Sequence, residues 1–277
     1  MSKPIEVEEL VDRFVHRPLA ARIVVLLLRT PITPNQVTLL SGIAGVLAGG
    51  ALAWGAAHPV GRLLGGVLLF AAVVLDCCDG QLARARGAYS TTGAVLDGLT
   101  DYLVGVAFCA AATYVLVRHN ASGGYWLLGL AGVASWAAHS ALFDHARTRY
   151  TEQAGGGYVE REEDLGKVAR ERTAARAAGR RGEAFLLGVY ERYTRAQQAT
   201  VRIAPARDPA AYRAANRGRM YAWGLLGSGT HFTLAYLLAA LSFFRPEALT
   251  AFFVVNLTVF NLLLAVLLVL EPRQSAG

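Results

Sequence analysis

The apolar positions of this chain fall into long runs separated by short polar stretches, and six runs reach the length of a membrane helix. They cover about 36–57, 61–84, 91–117, 124–146, 220–243 and 248–270. A span takes roughly 20 apolar residues to cross roughly 30 Å of hydrocarbon. Residues 5–30 break this pattern. They place Val7, Leu10, Val11, Phe14 and Val15 at helical spacing, with Arg13, Arg17, Arg22 and Arg29 between them. That predicts an amphipathic helix lying at the inner interface. "TPITPNQVT" follows, where Thr33 or Asn35 can cap the first span.

The second departure lies between the fourth and fifth runs. Residues 148–218 hold Gly155–Gly157 and a dense mixture of charges. Within them Phe185, Leu186, Val189 and Tyr193 share one helical face. Two readings stay open: a helix lying on anionic headgroups, or a solvated helical insertion packed on the protein itself. The expected fold is all-α and integral to a membrane. Residues 1–34 form a cytoplasmic and interfacial helix, 35–147 spans one to four, and 148–218 a basic cytoplasmic insertion. Residues 219–277 hold spans five and six and a short tail.

Composition agrees and adds an orientation. At 54% hydrophobic and a mean hydropathy of +0.37, the chain is too apolar for an ordinary soluble domain. Its first residues are acidic and carry arginine through the apolar part, unlike a cleaved signal peptide. The net charge of +7 does not point to nucleic acid, because no base-reading motif accompanies it. With the N-terminus inside, only Arg62, Arg118 and Arg245 of the 27 Lys and Arg residues fall in outer loops. This positive-inside bias puts both termini in the cytoplasm of a multi-pass protein, expected in a prokaryotic cell membrane. The three cysteines all lie in apolar runs and give no disulfide framework. Cys77 and Cys78 point about 100° and 200° away from Asp76 on a helix, which reads as packing rather than a metal thiolate.

Against this background, "LDCCDGQLARARGAYSTTGAVLDGLTD" puts Asp76, Asp79, Asp97 and Asp101 into the second and third spans. Charge within a membrane segment costs a few kcal/mol and marks function. Asp76 and Asp79 are three apart, and Asp97 and Asp101 four apart, so each pair shares a helix face. A turn near Arg86–Tyr89 makes the two helices an antiparallel hairpin. The carboxylates are then expected to stack as two level pairs, the deeper about 18 Å from the turn. Oxygen ligands without His or Cys select hard cations, and shared carboxylates suit a two-metal site for phosphoryl displacement. Gly80 and Gly93 permit close approach by a ligand, Ala83 keeps the wall thin, and Arg84 supplies a cation at the cavity mouth.

These residues resemble the signature of the CDP-alcohol phosphotransferase family, D-x2-D-G-x2-A-R-x8-G-x3-D-x3-D. Asp76, Asp79, Gly80, Ala83, Arg84, Gly93, Asp97 and Asp101 keep every spacing. The resemblance implies a transferase of substituted phosphate groups in phospholipid or related phosphodiester synthesis. An acceptor hydroxyl attacks the β-phosphorus of a CDP-alcohol and CMP leaves. It further implies two Mg²⁺ or Mn²⁺ ions on Asp76, Asp79, Asp97 and Asp101, with Asp101 also the general base. Asp76, Gly80, Ala83, Arg84 and Gly93 line the CDP-alcohol pocket, and the enzyme forms a homodimer among membrane lipids. Asn35 and Thr38 of "PNQVT" either contact nucleotide or cap the helix. Arg147, Arg149, Arg217 and Arg219 either bind a phosphorylated acceptor or anchor the spans. "LDGLTDYL" and "ITPNQVTLLS" look closer to inositol-phosphate-using members than to eukaryotic choline transferases. His139 and His145 read as satisfied interfacial histidines. A competing class is an intramembrane cation transporter with the four acids as its ion site. The apolar outer halves of spans two and three argue against it.

Overall fold

The computed structural model describes residues 4–88, 91–154, 165–200 and 208–270. Helix α1 (Arg17–Leu27) precedes four long helices: α2 (Pro34–Trp54), α3 (Pro59–Arg86), α4 (Thr91–Asn120) and α5 (Tyr125–Gln153). A hairpin of α6 (Leu165–Ala177) and α7 (Arg181–Thr200) comes next. It is followed by α8 (Pro209–Gly224), α9 (Ser228–Leu241), α10 (Ala248–Val254) and α11 (Asn261–Val269), with a π-helical stretch Val255–Phe260 joining the last two. No strand occurs among the described residues. Six segments are long and apolar enough to span a membrane: α2, α3, α4 from Val95, α5, α8 with α9, and α10 through α11.

Glycine sets the spacing at the centre of the bundle. A Cβ on Gly45 would lie 2.3 Å from Val104, and one on Gly42 2.7 Å from Thr100. Helix α2 therefore approaches α4 almost backbone to side chain, the small-residue packing that replaces hydrophobic driving force in lipid. Toward one end the interior is filled by Leu52, Leu69, Phe108, Trp136 and Phe252. The start of α2 is fixed by Thr33, which accepts from Gln36 N while Gln36 Oε1 accepts from Thr33 N at 2.8 Å. Of the two candidate caps, Thr33 is the one used.

Three elements differ from the sequence reading. First, residues 5–30 are not one helix. A 3₁₀ turn Ile5–Val7 gives way to extended backbone at Glu8 and a π-helical turn Asp12–His16 before α1 begins. Its protein-facing stripe is polar: Glu6, Glu9 and His16 are buried in line with Ala20 and Val24, while Phe14 is 67% exposed. Of the apolar positions, Val7 is buried in the core, whereas Leu10, Phe14 and Val15 are exposed on the outer face.

Second, the fifth span begins at Pro209 and breaks at Leu225–Gly227. Gly224 and Gly227 flank the break, and a carboxylate from the N-terminal segment takes the freed N–H groups of α9. A broken membrane helix is tolerated where the protein itself satisfies the freed backbone groups. Third, Arg62 is not a loop residue. It is buried in the first turn of α3, where Nε donates to Ser242 O at 2.7 Å and Nη1 to Gly55 O at 2.5 Å. It closes off carbonyls at the ends of α2 and α9.

In the insertion, Gly155–Gly157 and the side chain of Tyr193 lie outside the described residues. The α6–α7 hairpin turns at Gly179 (φ +72°). It builds a small core from Val168, Ala175, Ala184 and Leu187.

Candidate functional site

Helix α3 ends at Gly87, whose φ of +61° lets its N–H return to Arg84 O at 3.3 Å. This fixes the end of the α3–α4 hairpin, although Tyr89 of the expected turn falls outside the described residues. Arg86 holds the hairpin to the chain before α2, donating to Leu27 O at 2.9 Å and Thr30 O at 2.7 Å. Gln81 Nε2 donates to Arg17 O at 3.1 Å, and Cys78 is buried, with Sγ 3.7 Å from Ala20 O. On the side of α3 away from Gln81 and Cys78, Asp76 and Asp79 face α4 and α2.

Asp76, Asp79 and Asp97 each bring one carboxylate oxygen into a group whose members all lie within 4.8 Å of one another. The Asp76 and Asp97 carboxyls face each other across the two helices within side-chain hydrogen-bonding reach. Asp101 stands one helical turn beyond Asp97, outside this triad but in electrostatic range of all three of its members. Asp76 has Asp101 as its foremost charged neighbour and Asp79 has Asp97, the two expected pairs, while Asp97 also joins Asp76 and Asp79 in the triad.

The triad fits a hard divalent cation. Asp76 Oδ1 is buried without a hydrogen-bond partner, and a buried orphaned acceptor calls for a cation or donor. Thr38 on α2 donates its hydroxyl to Asp79 Oδ2, the kind of outer contact that orients a metal-binding carboxylate. Thr38 is thus a partner of the acids and not a cap, whereas Asn35 is exposed at the start of α2. Arg84 is exposed and folds back over Gly80, where a Cβ would stand 3.4 Å from Nη1. Ala83 is buried on the same helix and Gly93 is half-buried on α4.

Two of the four candidate acceptor arginines share one cavity. Arg149 and Arg219 line a small cavity between α5 and α8 with Tyr150, Tyr212, Asn216 and Trp223. Arg219 also donates to Leu270 O at 3.1 Å. Arg217 is exposed and in electrostatic range of Glu6, and Arg147 is half-buried on α5. His139 is fully buried, with Nδ1 3.1 Å from His231 Nε2 and Nε2 3.2 Å from Asn261 Oδ1. It is a satisfied histidine, deeper than an interfacial one. His145 is exposed.

Sequence reasoning missed the N-terminal acids. Glu6 forms a paired contact to Arg213, 3.0 Å at each oxygen. Burial pushes its carboxyl up, but Arg213 outweighs that and holds it below the usual range. Glu9 accepts from Gly229 N at 3.2 Å and Thr230 N at 2.8 Å. Asp12 Oδ1 lies 2.8 Å from His16 Nδ1, and His16 Nε2 3.3 Å from the Tyr236 hydroxyl. Glu9 and Asp12 are both in electrostatic range of Asp101. The spacing 6, 9, 12, 16 of polar residues was the available signal.

Comparison with known proteins bears on this geometry. Residues 31–160 match the family model of CDP-alcohol phosphatidyltransferase. The chain is 37% identical over 155 residues to a bifunctional IPC transferase and DIPP synthase of Rubrobacter xylanophilus, covering 55% of this chain and 32% of that protein. It is 37% identical over 91 residues to a phosphatidylinositol phosphate synthase of Mycobacterium bovis, 32% of this chain and 40% of that one. A Corynebacterium glutamicum protein of the same name matches at 38% over 95 residues, 33% and 40% of the two chains. The chain thus spans about a third of the length of these relatives. The matched segment holds α2 to α5 and all eight signature positions, so residues 31–160 are similar to a CDP-alcohol phosphatidyltransferase domain.

Proposed function

We propose that the chain catalyses metal-dependent transfer of a substituted phosphate from a CDP-alcohol to an acceptor alcohol, releasing CMP. The observation that carries this reading is the triad of Asp76, Asp79 and Asp97, with the orphaned Asp76 Oδ1 among the membrane helices. Mg²⁺ or Mn²⁺ ions bound there, two by the family resemblance, would neutralise the diphosphate and stabilise the oxygens of the displacement. The chain's own residues do the rest. Asp101 takes the proton of the acceptor hydroxyl, whose oxygen bonds to the β-phosphorus. The bond from that phosphorus to the bridging oxygen of CMP breaks, and CMP departs with its electron pair. Gly80, Ala83, Arg84 and Gly93 border the nucleotide, with Arg84 as the cation over its phosphates. Asn35 stands exposed near the same end of α2.

The names of the mycobacterial and corynebacterial relatives give phosphatidylinositol phosphate as product. A phosphorylated inositol with a CDP-lipid donor is therefore the first substrate pair to test. Arg149 and Arg219, with Arg147 and Arg217 nearby in sequence, are the candidates for the acceptor phosphate. The basic balance supports a cytoplasmic active site, and the family resemblance a homodimer. A cation transporter is not favoured, because Leu69, Phe108, Trp136 and Phe252 pack one part of the bundle interior with apolar side chains.

The test is CMP release by the purified full chain in lipid discs. One arm carries CDP-diacylglycerol with inositol phosphate or another polar alcohol. The other carries a polar CDP-alcohol with a lipid alcohol. CMP release in neither arm, from protein shown to be folded, would remove the reading.

A further inference from the structure

Helix α7 carries two faces with different fates. Ala184, Leu187 and Glu191 are buried against α6, where Arg172 Nη1 donates to Glu191 Oε2 at 2.8 Å. Phe185 is 70% exposed and Val189 47% exposed, and Arg181 and Arg192 are exposed. At 100° per residue, Arg181, Arg192, Phe185 and Val189 fall within an arc of about 80°, centred about 130° from the buried face. An exposed aromatic and a valine framed by two guanidinium groups cannot be explained by the hairpin's own packing.

Two observations indicate what covers this face. Helix α7 packs against α4, a membrane-spanning helix, so the hairpin is held at the flank of the bundle. The framing charges are both positive. In a two-fold contact with a second copy, this face would meet itself and bring like charges together. An anionic surface suits both the guanidinium groups and the apolar pair.

We propose that α7 lies on the anionic lipid surface of the membrane. Phe185 and Val189 enter the boundary between headgroups and acyl chains, and Arg181 and Arg192 contact lipid phosphates. This makes the insertion a charge-sensing attachment, separate from the carboxylate site and independent of the proposed reaction.

The experiment uses the full chain with Phe185→Cys carrying an environment-sensitive fluorophore, and wild-type protein processed in parallel to subtract label on native cysteines. It is reconstituted in discs of phosphatidylcholine alone or mixed with phosphatidylglycerol. A quencher carried on lipid and a water-borne iodide quencher compete for the label. The expected result is lipid quenching in the anionic discs, weaker in phosphatidylcholine. It should also be weaker in 1 M salt, where screening shortens to about 3 Å. Arg181→Gln with Arg192→Gln should lower the lipid-attached fraction, each change by about fivefold in partition. Iodide quenching in anionic discs, or quenching by neither agent, overturns the proposal. The first means a solvated face and the second a face covered by protein.

Discussion

The backbone N–H of Thr230 donates to the Glu9 carboxylate at 2.8 Å, joining the N-terminal segment to the broken start of α9 more than two hundred residues later. With Glu6 on Arg213 and Asp12 on His16, it holds the segment through acids pointing inward.

This contact makes stability depend on pH. Burial, and next Asp12, push the Glu9 carboxyl from 4.5 up to about 8 despite the N–H donors of α9. Asp101 of α4 is a further acid in range. The native state therefore holds this proton more tightly than the unfolded chain. The contribution is complete below about pH 4.5 and is lost as pH rises through about 8. The melting temperature of the solubilised protein should fall across that window, and Glu9→Gln should flatten the fall. An unchanged slope in the variant would show that Glu9 is not its source.

The metal site predicts a loss and a recovery. EDTA should abolish CMP release, and Mg²⁺ or Mn²⁺ should restore it. Asp79→Asn should fold but bind the ion less well, since one of several repelling carboxylates is gone. Thr38→Val keeps the volume and removes the hydroxyl that Asp79 accepts. Its cost should be about 10- to 100-fold in metal affinity or turnover, read by metal titration against activity. Full turnover in metal-free buffer contradicts the assignment.

The glycine contact between α2 and α4 predicts a packing defect. Gly45→Ala places a Cβ where Val104 Cγ2 is 2.3 Å away. Overpacking of this kind typically costs about 1–3 kcal/mol and should lower the melting temperature. The double change with Val104→Ala should recover most of it. If Gly45→Ala melts like wild type, α2 and α4 are not packed this closely.

How much of this the sequence revealed depends on the scale of the feature. Six spans, the signature and the α3–α4 hairpin follow from runs and spacings within one helix or two neighbours. The insertion hairpin was visible as a helix, but not which side of it faced the protein. Leu187 and Ala184 are buried while Phe185 is exposed. Distant partners left a weaker mark. Glu9 reads as a solvent-facing acid until α9 is known to start beside it, and Arg62 as a loop charge until the carbonyls of Gly55 and Ser242 surround it. Thr38 read as a nucleotide contact or a helix cap, because its partner, Asp79, lies forty-one residues away.

The last prediction concerns Asp101. It stands one turn past Asp97, beyond the triad within which Asp76, Asp79 and Asp97 approach to 4.8 Å, and it is half-buried. That position suits a base more than a ligand, because a residue outside the triad can be removed without dismantling it. A positioned base typically contributes about 10²–10⁴-fold in rate. Asp101→Asn keeps the shape and one oxygen. It should leave metal and CDP-alcohol binding within a few-fold while single-turnover CMP release falls by that factor. Asp76→Asn should lower metal binding, donor binding and turnover together. Calorimetry of donor binding beside single-turnover kinetics separates the two patterns. If Asp101→Asn instead lost metal affinity in step with Asp76→Asn, Asp101 would be a fourth ligand and the proton would go elsewhere.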